Sequence, residues 1–308
     1  LSSPLVTLKS SFLTIPIVAF FLLQIEQLHL TIFANSLTVE LISTYNDQTA
    51  SFATPYGSFM RNFIVHTPPN FDYQTESLPL LFVLHGYTGR APSIREYSGF
   101  DQIADEERFI VVYVQGTTDQ FGNTGWNVNV VASFLGVDDV GFFKALIKYF
   151  KASYNIDSNK IFSSGMSLGG FMSYRLACEL EEINSIGSVT GSMAGYYQCN
   201  PPKKSSIIHF HGMNDAVVPY NGVEWSISAK AAHDFWKNHN QCNSQNEITI
   251  PDFNGDGEYT TRLISYDCED NKSVELYSLE GEGHTWWKKS WGHDINASEL
   301  IWQFFQSQ

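Results

Sequence analysis

Runs of lysine and arginine are missing from this 308-residue chain, which carries 18 basic against 32 acidic residues and a formal charge of -14. A protein that tracks a phosphate backbone needs a basic face, so nucleic acid is excluded as a partner. CxxC pairs are missing as well. The four cysteines stand singly, which speaks against a structural zinc site and against thioredoxin-like redox chemistry. Long apolar runs are scarce: Phe12–Leu23 is interrupted by Thr14 and Pro16 and is too short for a comfortable membrane span. No internal repeat or low-complexity linker divides the chain. What is plentiful is aromatic side chain, 15% of all residues, with several Trp and Tyr in predicted loops. Aromatic groups on a wetted surface suit flat or ring-shaped ligands.

The N-terminal region reads as an address. Lys9 precedes the apolar run, and Ala34-Asn35-Ser36 supplies small residues where a signal peptidase cuts. Residues 1–36 are therefore expected to be a signal peptide or leader, and 37–308 a single domain that is secreted, extracellular or periplasmic, without stable membrane association. An N-terminal membrane anchor or an ordinary buried element is the alternative. In an exported protein the cysteines should pair. Of the three connectivities, Cys178–Cys199 and Cys242–Cys268 are expected, because each closes a short loop beside a predicted element.

Along the chain, short apolar runs alternate with helix-period segments. The strand-like runs are 58–68, 78–86, 109–116, 160–165, 186–192, 205–212 and 274–281, several of them apolar on both faces as a parallel sheet requires. Helical periodicity marks 138–155, 168–182, 222–239 and 296–305. Alternation of this kind predicts an α/β protein with a doubly wound, mostly parallel sheet. Residues 241–272 depart from it. Two strand-like runs flank "PDFNGDGEY", which predicts a small β-hairpin insertion fastened by Cys242 and Cys268. Asp252, Asn254 and Asp256 resemble the start of a calcium loop, but Leu263 stands where the twelfth position wants an acidic ligand. An ordinary tight turn accounts for them.

In "KIFSSGMSLGGFM" a serine stands between glycines where a strand should turn into a helix. A GxSxG pentad in that context lifts a nucleophile, here Ser167, above the sheet at a helix N-terminus. The serine needs a base, and the base an orienting carboxylate, in the chain order Ser, Asp, His at successive strand ends. Asp215 follows the run 205–212 and His284 follows 274–281. Among rivals, Asp138 and Asp139 precede the serine and open a helix, His293 lies in a polar loop, and His209 falls inside an apolar strand. His211 is placed to stand behind the triad. The oxyanion donors expected are the backbone N–H groups of Leu168 and of Tyr87, in the loop His85-Gly86-Tyr87. His85 itself is expected to hold that loop.

The ordered set "LFVLHGYTG", "GMSLGGFM", "HFHGMNDAVVPYNG" and "GEGHTWW" resembles the secreted esterases that include poly(3-hydroxybutyrate) depolymerase-like proteins and feruloyl esterases. The resemblance covers nearly everything after about residue 55 of the chain. It implies an α/β-hydrolase fold, no metal and no organic cofactor, and ester hydrolysis through an acyl-enzyme, with Ser167, Asp215 and His284 as catalytic residues. Trp126, Trp286, Trp287 and Tyr87 are expected to wall the acyl-binding cleft. Expected substrates are small-molecule, polysaccharide-linked or polyester esters, with feruloyl esters preferred. Poly(3-hydroxybutyrate) depolymerase-like, other polyester or acetyl ester hydrolysis is the alternative, a serine peptidase a further one, and a non-catalytic binding protein on the same fold the alternative of another class.

Overall fold

The structure, a computed structural model, describes residues 38–40, 47–54 and 57–308, with side chains from residue 61 onward. The leader expected over 1–36 lies outside the described residues. The strands are β1 (Thr38–Glu40), β2 (Asp47–Thr54), β3 (Gly57–His66), β4 (Leu78–Leu84), β5 (Ile110–Val114), β6 (Thr117–Thr118), β7 (Thr124–Gly125), β8 (Ile156–Met166), β9 (Ser185–Val189), β10 (Ser206–Gly212), β11 (Ser244–Ile250), β12 (Thr260–Tyr266) and β13 (Val274–Leu279). The helices are α1 (Ala91–Ser98), α2 (Phe100–Glu107), α3 (Asp139–Ser153), α4 (Leu168–Glu179), α5 (Ala229–His239) and α6 (Ala297–Gln306).

One sheet runs in the order β1-β2-β3-β5-β4-β8-β9-β10-β13-β12-β11. From β5 to β13 every neighbour is parallel, and the strands beyond on either side are antiparallel. The doubly wound, mostly parallel α/β sheet is as the sequence predicts. Side-chain alternation explains why its strands are apolar throughout. On β4, Leu80, Phe82 and Leu84 join the core under α3, α4 and α5, whereas Leu81 and Val83 join the core under α1, α2 and α6. A strand covered on both faces has no polar side to show.

Three local outcomes differ from the sequence reading. α1 and α2 were not among the expected helices. Pro92 lies in the first turn of α1, and Gly99, at φ 70°, ends α1 and precedes α2. The helix expected over 222–239 starts only at Ala229, where the Ser228 side chain accepts the Ala231 N–H. Residues Val223 and Ser226 bond each other's backbone in a turn. Finally, the 241–272 hairpin is no appendage. β12 pairs with β13, so β11 and β12 extend the main sheet, and both expected disulfides, Cys178–Cys199 and Cys242–Cys268, are present.

Candidate active site

β8 enters α4 through Ser167, whose φ of 54° is a strained conformation for a residue with a side chain. The surrounding glycines explain how the turn closes. A Cβ on Gly169 would overlap the Leu84 carbonyl, and one on Gly165 would overlap the Gly169 backbone. Strand and helix touch backbone to backbone, and the Ser167 N–H anchors on the Val189 carbonyl of the next strand at 2.8 Å. The serine is thereby held at the sheet's C-terminal edge, at the head of α4.

The next contributions come from β10 and β13, which are parallel neighbours, so their C-terminal loops emerge side by side. Two backbone bonds lock the loops together, Met213 N–H to Leu279 O at 2.8 Å and Asn214 N–H to Glu282 O at 2.9 Å. His284 Nδ1 then donates to Asp215 Oδ2 at 2.7 Å. Asp215 Oδ1 accepts the N–H groups of Val217 and Val218 at 2.8 and 2.9 Å. Burial alone would raise the Asp215 carboxyl. The bonds from His284, Val218 and Val217 outweigh it and hold the pKa below the usual carboxylate value.

Ser167 and His284 line one cavity of about 330 Å³, together with the loop His85–Arg90 and with Ile94 and Tyr97 of α1. No hydrogen bond joins the Ser167 hydroxyl to His284 among the described residues; the two groups meet across the cavity. The Gly86 loop passes directly over the serine, since a Cβ there would stand 3.1 Å from that of Ser167. Beside it, neither the Tyr87 nor the Leu168 N–H has an acceptor among the described residues. Tyr87 lines the cavity, and Leu168 directly follows Ser167, which lines it too.

His85 fixes this loop. Its Nδ1 donates to Gly86 O at 2.7 Å and its Nε2 accepts the Gly116 N–H at 2.9 Å, which makes the ring neutral. Burial, opposed by the bond to Gly86 and aided by the charges of Arg61 and Arg90, pushes its pKa down to about 4. Beneath it, Trp126 Nε1 donates to His85 O at 2.8 Å.

That contact overturns one expectation. Trp126, Trp286 and Trp287 are fully buried and do not wall the cleft. Trp126 is the floor under the Gly86 loop, Trp286 donates to Ser298 Oγ at 2.9 Å between α1 and α6, and Trp287 packs in the core beside α6. Large apolar rings next to strand ends are drawn into the core by the area they remove from water. Tyr87 does line the cavity and is 42% exposed. The other aromatic wall is Tyr97, whose hydroxyl bonds Thr285 beside His284. Tyr97 was missed with α1, and only a search for proline and glycine as helix caps around residues 92–99 would have found it.

The rivals are engaged elsewhere. Asp138 caps α3 by accepting the Gly141 N–H, and buried Asp139 pairs with Arg61. His293 Nδ1 bonds Glu282. In the hairpin turn the Asp252 carboxylate accepts the N–H groups of Gly255 and Gly257 at 2.6 and 2.9 Å, which is a tight-turn arrangement.

No protein-family model matches the chain. In sequence it is 26% identical over 234 residues to a bifunctional acetylxylan esterase/xylanase of Neocallimastix patriciarum, covering 73% of this chain and 31% of that one. It is 26% identical over 238 residues to feruloyl esterase B of Piromyces equi, covering 73% and 42%. With feruloyl esterase D of Neurospora crassa it shares 25% over 261 residues, covering 80% and 81%. The chain thus spans less than half the length of the first two relatives. In structure it is similar to an acetyl xylan esterase from Aspergillus awamori, with a TM-score of 0.58 and 14% identity over 88% of this chain and 100% of that one. A Bacillus cereus carboxylesterase gives 0.53 and 15%, covering 80% and 95%. At such identities the structural likeness establishes the fold alone.

Proposed function

We propose that this chain, an α/β-hydrolase by fold and similar in sequence to feruloyl and acetylxylan esterases, is a serine carboxylic-ester hydrolase working through an acyl-enzyme. One observation carries the reading. His284 has its Nδ1–H committed to Asp215, which leaves Nε2 as the basic nitrogen, and the ring lines the same cavity as Ser167. In the proposed cycle Ser167 Oγ attacks the ester carbonyl while His284 Nε2 takes its proton. Asp215 keeps the ring oriented and stabilises the imidazolium. The N–H groups of Tyr87 and Leu168 receive the oxyanion, and His284 returns its proton to the leaving alcohol. Water then attacks the acyl-enzyme by the same route in reverse.

For the acyl group we infer a hydroxycinnamoyl ester such as ferulate. A cavity of about 330 Å³ bounded by Tyr87, Tyr97, Ile94 and Met166 offers apolar and aromatic surface well beyond the need of an acetyl group. The acetylxylan esterase relatives favour acetyl ester hydrolysis as the second reading. Two disulfides among the described residues support residence in an oxidising compartment and hence secretion, and a single domain over 37–308 is part of the same proposal. Among the described residues no helix is long and apolar enough to cross a membrane.

The test is a matched panel of methyl ferulate, acetylated xylan, p-nitrophenyl butyrate, hydroxybutyrate oligomers and a peptide amide, assayed with wild type and Ser167→Ala. Serine-dependent hydrolysis fastest on methyl ferulate is expected. A preference for acetylated xylan would replace the feruloyl reading by the acetyl one. Equal inertness of both proteins on every ester would favour a binding protein.

A further inference from the structure

Behind the acid loop lies a buried polar chain that the proposed reaction does not use. Tyr174 of α4 bonds His209 Nδ1 at 3.0 Å, His209 Nε2 meets His211 Nδ1 at 3.0 Å, and His211 Nε2 meets Val218 O at 2.8 Å. All three side chains are sealed from solvent. The direction of every bond follows by elimination. His211 Nε2 faces Val218 O and, at 3.5 Å, Asp215 Oδ2, and both are acceptors, so Nε2 must carry the proton. A neutral ring then has a bare Nδ1, which only His209 Nε2–H can fill. His209 in turn has a bare Nδ1, which takes the proton of the Tyr174 hydroxyl, and the Gly191 backbone is a further hydrogen-bonding neighbour of this ring. Burial lowers the pKa of both imidazoles, in keeping with two neutral rings.

The far end of this chain is what gives it a role. Val218 presents its carbonyl to His211 and its N–H to Asp215 Oδ1, so one residue links the imidazole to the carboxylate. We propose that Tyr174, His209 and His211 form a positioning device for Asp215. The chain fixes the tautomer of His211, whose Nε2–H pins Val218 and, through it, the carboxylate that orients His284. His211 touches no reacting atom. It acts through Val218, which makes it a positioning residue.

The proposal rests on the esterase reading, and two readouts separate their failures. In the kinetic one, with p-nitrophenyl butyrate, His211→Leu should lower kcat by roughly 10–100-fold with KM changed less than about twofold, the cost of displacing an orienting group. His211→Gln, whose amide can still donate to Val218, should recover most of that loss. His209→Leu keeps His211 but removes the donor that sets its tautomer, so it should also lower kcat. In the spectroscopic one, the low-field proton resonance of His284 Nδ1–H bonded to Asp215 should be present in wild type and broadened or lost in His211→Leu. Melting curves establish which variants are folded.

A wild-type kcat and an unchanged resonance in His211→Leu would overturn the proposal, as would His211→Gln behaving no better than His211→Leu. Should His211→Leu fail to fold, a wild-type kcat and resonance in His209→Leu would do the same. Wild type inert on every ester would defeat the esterase reading instead. The resonance needs no substrate and would still decide the positioning.

Discussion

Ser167 illustrates how a single residue depends on its neighbours' lack of side chains. Its positive φ is tolerable because Gly165 and Gly169 let β8, α4 and the end of β4 approach at backbone distance. Gly169→Ala should therefore inactivate by displacing the Leu84–His85 backbone, with a stability loss of about 1–3 kcal/mol from overpacking. Paired melting and initial-rate measurements would check it, and a stable, fully active Gly169→Ala would show that the contact relaxes. Asp215 offers a cleaner separation of geometry from charge. Asp215→Asn should leave the fold intact yet cut kcat by about 10,000-fold, because the amide favours the wrong His284 tautomer. A loss below about tenfold would remove Asp215 from the proposed mechanism. The three positions proposed as the triad were legible in the sequence because each follows an apolar run. The tryptophans were misread because their sequence neighbourhood carries no sign of which way a ring turns.

Elements were legible where periodicity was strong and illegible where caps resemble loops. β4, β5, β8, β9, β10 and β13 show as apolar runs, whereas α1 and α2 are eight residues each and are bounded by Pro92 and Gly99. That miss mattered, since α1 supplies Ile94 and Tyr97 to the cavity. The hairpin β11–β12 is the element most separable from the site. It ends the sheet beyond β13, and Cys242–Cys268 closes its base with a sequence separation of 26. Replacing both cysteines by serine should cost roughly 3 kcal/mol through loop entropy in the unfolded chain. Thermal melts should fall while kcat at 25 °C stays within about twofold, since the bond acts on unfolded-chain entropy. A collapse of kcat without a fall in melting temperature would tie the hairpin to the chemistry.

At the scale of the whole molecule, acid should be the weak direction. His85, His209, His211 and His233 all have lowered pKa values, with burial the leading cause in each. The unfolded chain protonates these groups near 6.5 while the folded protein keeps them neutral, so their stabilising contribution is complete above that pH. It shrinks on acidification towards each folded value, by up to about 1.4 kcal/mol per pH unit per histidine. Asp215 adds a later loss, because its lowered pKa stabilises only above the ordinary carboxylate range. Urea midpoints should thus fall between pH 7.5 and pH 5, and His85→Gln should flatten part of the slope. A midpoint unchanged over that interval would mean the buried rings take up protons in the folded state as readily as in the unfolded chain, donating to acceptors within the protein.

By itself the sequence determined the sheet's winding, the order of Ser167, Asp215 and His284 at successive strand ends, and the cysteine pairing, because these depend on the period of apolar residues and on short spans of chain. The tertiary structure decided what lies beside what. The alignment of β10 with β13 joined Asp215 to His284 across 69 residues, and the packing of α1 against the Gly86 loop made a wall from Tyr97. The same packing turned Trp126, Trp286 and Trp287 inward. Contacts of this kind depend on where distant backbones come to rest and on how much apolar area each ring can remove from water, and neither is written in the residues adjacent to it.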